Sequence, residues 1–423
     1  MIGKLIIATI LTGLITGVFI TFYELLILFM TYFIFMGDPL KTIPTLPIWY
    51  LYLVPTVAIF FVNYLSSKDD HIREYGMNEI AESITENKMI LKVKTLFFKV
   101  LASALSLSSG FTVGTEGPSA SIGAMIAYQI HQLFKLPTML VKMMISVGAS
   151  AGVAAIFVSP LTGIAFAIEN IAYQFVKQYV SYLILASVIS FAIALNFLEP
   201  IQFFHSSERL INNDYIIANL IFIPFITFFI YLYLFLKKKV LHFIDIEIFK
   251  TFHAYRNYIF ALLGGSVIGS ILVIEPQAAF SGKEIVMMLM NEDIHIPVLV
   301  IFSIILLRII GTTVAIYANA VGGIFLPLMS IGALTGYAFG ELMNLYFFPV
   351  EAFYFAAIGA AVFMGVIMKL PLTALVLALE TTFDYNVVIA TGISVVLVEY
   401  FSNLYFNIRK SYVNKADKLE RKS

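Results

Sequence analysis

The sequence predicts an all-α integral membrane protein built from two related halves, and three observations predict it. Of its 423 residues, 60% are hydrophobic and 12% are charged, about half the charged share of a soluble domain. Apolar stretches long enough to cross a bilayer recur along the chain. Two segments 209 positions apart repeat one order of Gly, Pro, Ser and Thr, residue types that chance similarity between apolar helices does not align.

A hydrocarbon core about 30 Å thick needs about 20 helical residues at about 1.5 Å each. Stretches of that kind run over 6–36, 46–65, 138–158, 179–197, 215–236, 258–274, 297–316 and 354–368, with shorter Gly-interrupted pieces between them. The first follows Lys4 as a signal peptide would, but it is too long and lacks a small-residue cleavage site, so it reads as a retained helix.

Formal net charge is zero, which gives no sign of a nucleic-acid partner. The distribution of charge says more. Arg409, Lys410, Lys415, Lys418, Arg421 and Lys422 crowd the end of the chain, and Lys88, Lys92, Lys94 and Lys99 follow a polar segment over 66–87. Cytoplasmic loops carry such an excess of cations, so both runs are placed in the cytoplasm. With no cysteine, disulfides, thiolate metal sites and cysteine nucleophiles are excluded. The six histidines form no HExxH and no close pair, and His205 beside Ser206 and Glu208 reads as a solvated loop residue. No metal site and no cofactor are expected.

The repeat is explicit. Residues 99–118 read KVLASALSLSSGFTVGTEGP and residues 308–327 read RIIGTTVAIYANAVGGIFLP. Each starts with a cation, runs through an apolar segment and ends in a Gly-rich turn closed by proline. Ser121-Ile122-Gly123-Ala124 recurs as Ser330-Ile331-Gly332-Ala333. Pro160-Leu161-Thr162 recurs as Pro371-Leu372-Thr373, and Glu169 as Glu380, with the displacement grown to 211. The first repeat is expected over 1–205, the second over 206–405, and a short basic tail over 406–423, all within one membrane domain and with no soluble regulatory domain.

In hydrocarbon an interrupted helix survives only where protein or a watery cavity surrounds it. Interruptions stand at matching places, 114–118 and 322–327. Glycine permits close approach there, and proline suits the first turn of the helix that follows. The first four amides of a helix are unpaired, and its dipole adds about half a positive charge at that end. Two such ends facing each other at midplane would hold an anion without lysine or arginine, and partial charges let the ion leave again. Glu116 lies inside the first turn. A carboxylate in the membrane is a functional residue by default: ionised, it can fill the same amide cradle, and protonated, it can withdraw. The bland alternative is a glutamate capping its own helix.

These residues resemble the CLC family of chloride channels and proton-coupled chloride transporters. GTEGP with the SIGA after it, GGIFLP with its own SIGA, the paired PLT elements and a tyrosine near the C-terminus carry the resemblance, over about 75–410. It implies inverted halves, a homodimer with one anion pathway per subunit, and both termini in the cytoplasm. It also implies that Glu116 is the external gating glutamate and that the amides of Gly117, Ile324 and Phe325 line the anion sites. Tyr405 resembles the tyrosine closing the central site from inside; alone, it would read as an interfacial belt residue.

Two departures from the family pattern stand out. The serine-bearing GSGIP turn aligns with 74–78, which puts Tyr75 where serine is expected and leaves anion preference open. The two adjacent glutamates of the transporters, the second an internal proton acceptor, align with Glu169 and Asn170. Asparagine cannot titrate, so either protons reach Glu116 another way or the protein is a passive channel. Glu169 is expected to be structural, because Glu380 occupies the equivalent place. Asn170 is compatible with the fluoride-exporting branch, but Ile324-Phe325 keeps the chloride-type turn, so chloride is the expected ion. Lys99, Arg308 and Lys369 are expected to be snorkelling or ion-paired helix-end residues. A membrane-embedded enzyme would need a nucleophile with a base or a metal cluster, and a scaffold would leave the matched interruptions unexplained.

Overall fold

The computed structural model describes residues 2–73, 77–170, 176–202, 213–244, 256–289 and 296–420. The first half comprises α1 (Ile2–Ile34), the short α2 (Pro39–Thr42), α3 (Ile48–Ser66), α4 (Met77–Thr85), α5 (Val93–Ser108), α6 (Glu116–Leu133), α7 (Val141–Phe157), α8 (Pro160–Asn170) and α9 (Val176–Ala194). The second comprises α10 (Asn213–Ile244), α11 (Arg256–Ile274), α12 (Lys283–Leu289), α13 (Val298–Tyr317), α14 (Phe325–Tyr346), α15 (Ala352–Met368), α16 (Pro371–Thr382) and α17 (Tyr385–Glu420). Among the described residues there is no strand, only a single bridge between Gly114 and Gly323.

Among the described residues, eight helices are long and apolar enough to cross a membrane. Six of them cover stretches expected from sequence. The stretches at 179–197 and 354–368 fall on shorter helices, while α14 and the first part of α17 are additional spans. Sequence hides α14 because Ser330, Gly332, Thr335, Gly336 and Gly340 interrupt its apolar run, and those small residues are there for packing. Both α7 and α14 are almost wholly enclosed by protein rather than lipid, while apolar side chains such as Phe22, Phe29 and Phe33 of α1 face outward.

Small residues set the central crossings. A Cβ on Gly123 of α6 would strike the carbonyl of Gly148 on α7, and one on Gly332 of α14 would strike that of Gly359 on α15. With no hydrophobic drive between helices in lipid, such backbone approach is what joins them. Gly336 makes the same point against Phe355. Gly336→Val is therefore expected to separate α14 from α15, at a cost of about 2–3 kcal/mol for overpacking. A thermal melt in detergent that matches the parent would contradict this.

Pairs of equivalent residues also reveal how the halves are related. The helices α7 and α15 both end on a left-handed residue, Val158 and Lys369, just before the proline that opens the next helix. Glu169, at the end of α8, accepts hydrogen bonds from the first turn of α16: Leu372 N and Thr373 N at 2.7 Å, and Thr373 Oγ1 at 2.6 Å. Glu380, at the end of α16, accepts the reciprocal set from Leu161 N (2.8 Å), Thr162 N (2.6 Å) and Thr162 Oγ1 (2.7 Å), and a bond from Ser159 Oγ. Each helix thus caps the other, so they run antiparallel and the two-fold relating them is perpendicular to both. This antiparallel relation between equivalent helices accords with the inverted halves that the family resemblance implies. The reading of Glu169 as structural holds.

The expectation for the two leading cations needs correction. Lys99 and Arg308 are fully buried rather than snorkelling. Lys99 donates to the His71 carbonyl at 2.9 Å. Arg308 donates to Ser330 Oγ (2.9 Å), Ala279 O (3.0 Å) and Ser281 O (2.9 Å), clamping the turn before α12 onto α14. Guanidinium suits this work because its donors point in several fixed directions. Of the three cations, Lys369 alone is an exposed helix-end residue.

Candidate anion site at two helix N-termini

The turns at 114–118 and 322–327 meet inside the protein. Gly114 N donates to Gly323 O at 2.7 Å, and Gly323 N donates to Gly114 O at 2.7 Å. These glycines are 209 positions apart, so the repeat axis passes between them. A second tie, from Val321 N to Ser106 Oγ at 3.0 Å, fixes the approach of the second turn. From this bridge α6 and α14 begin, at Glu116 and Phe325. Neither helix has a side-chain hydrogen bond at its own cap residue, Thr115 or Ile324. The amides at both ends are left open to a group from elsewhere.

The carboxylate of Glu116 occupies one of them. Its Oε1 accepts from Phe325 N at 2.6 Å, across the two repeats, and the amides of Leu326 and of Glu116 itself also face it. Its Oε2 is buried with no hydrogen-bond partner. Gly114 and Gly323 wall the carboxylate so closely that a Cβ on either would overlap it. Their lack of side chains makes the cradle. Phe325 is itself held by Phe157 and Phe166, with ring centroids 4.5 and 6.0 Å away, and it is fully buried. The site thus combines amide donors, an apolar wall and one removable anion. The Glu116 carboxylate stands where a free anion would meet the α14 N-terminus.

Of the residues named from sequence, Glu116 and Phe325 are in direct contact, Gly117 lies in the first turn of α6, and Ile324 immediately precedes α14. Asn170 is exposed at the last position of α8. Tyr75 lies outside the described residues, as do His205, Ser206 and Glu208. For Tyr405 only the backbone is described, within α17. Sequence reading passed over Leu326 and Ser106. Leu326 was legible, as the next amide of the same helix start; nothing marked Ser106 among the serines of α5.

Broken helices with facing N-termini in a helical membrane fold define a class of anion-handling membrane proteins. The chain belongs to the voltage gated chloride channel family, whose pattern matches residues 56–403. It is 28% identical over 328 residues to the H(+)/Cl(-) exchange transporter ClcA of Salmonella paratyphi B and to that of Salmonella newport, covering 74% of this chain and 67% of each relative. Its fold is similar to that of a slow cyanobacterial Cl-/H+ antiporter, with a TM-score of 0.81 at 22% identity over 94% of this chain and 93% of the other. A CLC-type fluoride/proton antiporter follows at 0.76 and 20%, over 96% of each chain. A eukaryotic CLC transporter gives 0.73 and 19%, over 96% of this chain and 72% of the other.

Proposed function

We propose that the protein carries chloride across the membrane through the α6–α14 site, with Glu116 as its gate and proton carrier. The observation that carries this reading is the bond from Phe325 N to Glu116 Oε1. An ionised glutamate competes with the transported anion for the same amides, and a protonated one yields them. Gly117, Ile324 and Phe325 supply donors to the anion, and the family resemblance makes the hydroxyls of Tyr405 and Tyr75 further candidates for that role. Asn170 replaces a titratable inner group, so protons reach Glu116 without it. The working unit is a homodimer with both termini in the cytoplasm, and the chain divides into repeats over 1–205 and 206–405 with a basic tail over 406–423. A passive chloride pathway is the second reading, favoured by Asn170.

Chloride and fluoride efflux from liposomes holding the purified protein test the proposal. Chloride efflux well above that of empty liposomes is expected. Fluoride efflux far exceeding chloride would place the protein with fluoride exporters, and no anion efflux would end the reading.

A further inference from the structure

A second membrane-depth carboxylate lies in α1, and sequence reading did not single it out. Glu24 stands ten residues before the end of that helix, about 15 Å along it. It is 8% exposed, and its Oε2 is buried with no hydrogen-bond partner. A polar atom so placed costs free energy unless it is hydrogen-bonded, and a carboxylate kept at membrane depth at that cost is a candidate functional group. Glu24 lines a cavity of about 330 Å³ between α1 and the turn before α12. Thr115, the residue before Glu116, lines the same cavity, as do Thr31, Gln277 and Glu284. At about 30 Å³ per water the space is ample for a hydrogen-bonded chain.

We propose that this cavity is the proton entrance to Glu116 and that Glu24 is the group that hands the proton on. The proposal rests on the gating role of Glu116. Protonated Glu24 breaks its O–H bond and gives the proton to cavity water. The water chain delivers a proton to the Glu116 carboxylate, which becomes the neutral acid and releases the α14 amides. Glu24, left ionised, takes the next proton from solvent at the mouth.

The groups facing Glu24 fit that work. Lys283 of α12 lies 4.0 Å away, close enough to steady the ionised form yet beyond a direct hydrogen bond. Glu284 is exposed beside it, and Asp38 and Tyr32 line the same cavity. Asp38 is engaged as the cap of α2, accepting from Leu40 N at 3.2 Å and pairing with Lys41 at 3.2 Å. Tyr23, next along α1, is fully buried and hydrogen-bonded to Ser103 Oγ at 2.6 Å. Glu24 is the buried carboxylate of the cavity with an oxygen to spare.

The test records chloride efflux and proton uptake together in liposomes holding the full chain. Glu24→Gln is expected to lower proton uptake at least about tenfold, and Glu24→Asp to restore most of it. Lys283→Met removes the neighbouring cation and is expected to move the pH profile of proton uptake about one unit toward alkaline. Should Glu24→Gln fail to insert, Lys283→Met decides. Proton uptake by Glu24→Gln within about twofold of the parent, or an unmoved profile in Lys283→Met, overturns the proposal. Chloride efflux without proton uptake in the parent overturns the role of Glu24 and leaves the chloride reading standing. A parent that moves no chloride overturns both.

Discussion

Glu116→Gln is expected to abolish proton movement while chloride continues to flow and binds more tightly. Glutamine has nearly the shape of the protonated acid and cannot ionise, so nothing charged competes for Phe325 N, the amide that Glu116 holds at 2.6 Å. A hydrogen bond to a charged group contributes about 1.5–3 kcal/mol, and about 1.4 kcal/mol corresponds to a factor of ten. Apparent chloride affinity should therefore rise about tenfold to a hundredfold. Calorimetric titration of chloride into parent and variant reads the affinity, and coupled flux reads the protons. Affinity unchanged in the variant would mean that the carboxylate and the anion do not share a site. Proton uptake persisting in it would remove Glu116 as the carrier.

The second large effect concerns stability. Glu169→Ala leaves Leu372 N, Thr373 N and Thr373 Oγ1 without their acceptor, and Glu380→Ala does the same to Leu161 N, Thr162 N and Thr162 Oγ1. Each carboxylate also faces the positive end of a helix dipole. These donors lie partly exposed, so water repairs part of the loss, and each substitution should cost about 2–4 kcal/mol. Because both caps join the same two helices, the double variant should fall short of the sum, as coupled neighbours do. Denaturant unfolding followed by tryptophan-independent circular dichroism measures this. A double variant as stable as the parent would show that the reciprocal caps do not hold the repeats together.

Sequence alone revealed the repeat, the two interruptions and the glutamate between them, because Gly, Pro and a membrane carboxylate are conspicuous against an apolar background. It placed most spans for the same reason. What stayed hidden depends on partners distant in the chain. Gly148 and Gly359 are ordinary glycines until Gly123 and Gly332 are laid against them. The repeat marks Glu169 as structural, but not the partners it holds, Leu372 and Thr373 more than 200 positions away. Arg308 and Lys99 read as helix-end cations, since nothing local shows the carbonyls of Ala279, Ser281 and His71 that receive them. Glu24 was passed over because α1 carries no motif around it. Its significance comes from a cavity formed with residues more than 90 positions away, Thr115 among them.

The repeat axis also explains why the site is where it is. An antiparallel bridge between Gly114 and Gly323 forces the helices after them to start beside one another. One start is taken by Glu116, which belongs to the other repeat. Symmetry of backbone and asymmetry of side chain meet at that point: Gly-Thr-Glu-Gly-Pro faces Gly-Ile-Phe-Leu-Pro. A single titratable group thereby sits in a cradle that the backbone of both halves builds.

Bromide scatters anomalously and substitutes for chloride, so diffraction from Glu116→Gln crystals soaked in bromide locates the anion directly. The account predicts a peak within hydrogen-bond reach of Phe325 N, in the volume held by the Glu116 carboxylate in the parent. Bromide found only elsewhere, with that volume empty, would contradict it.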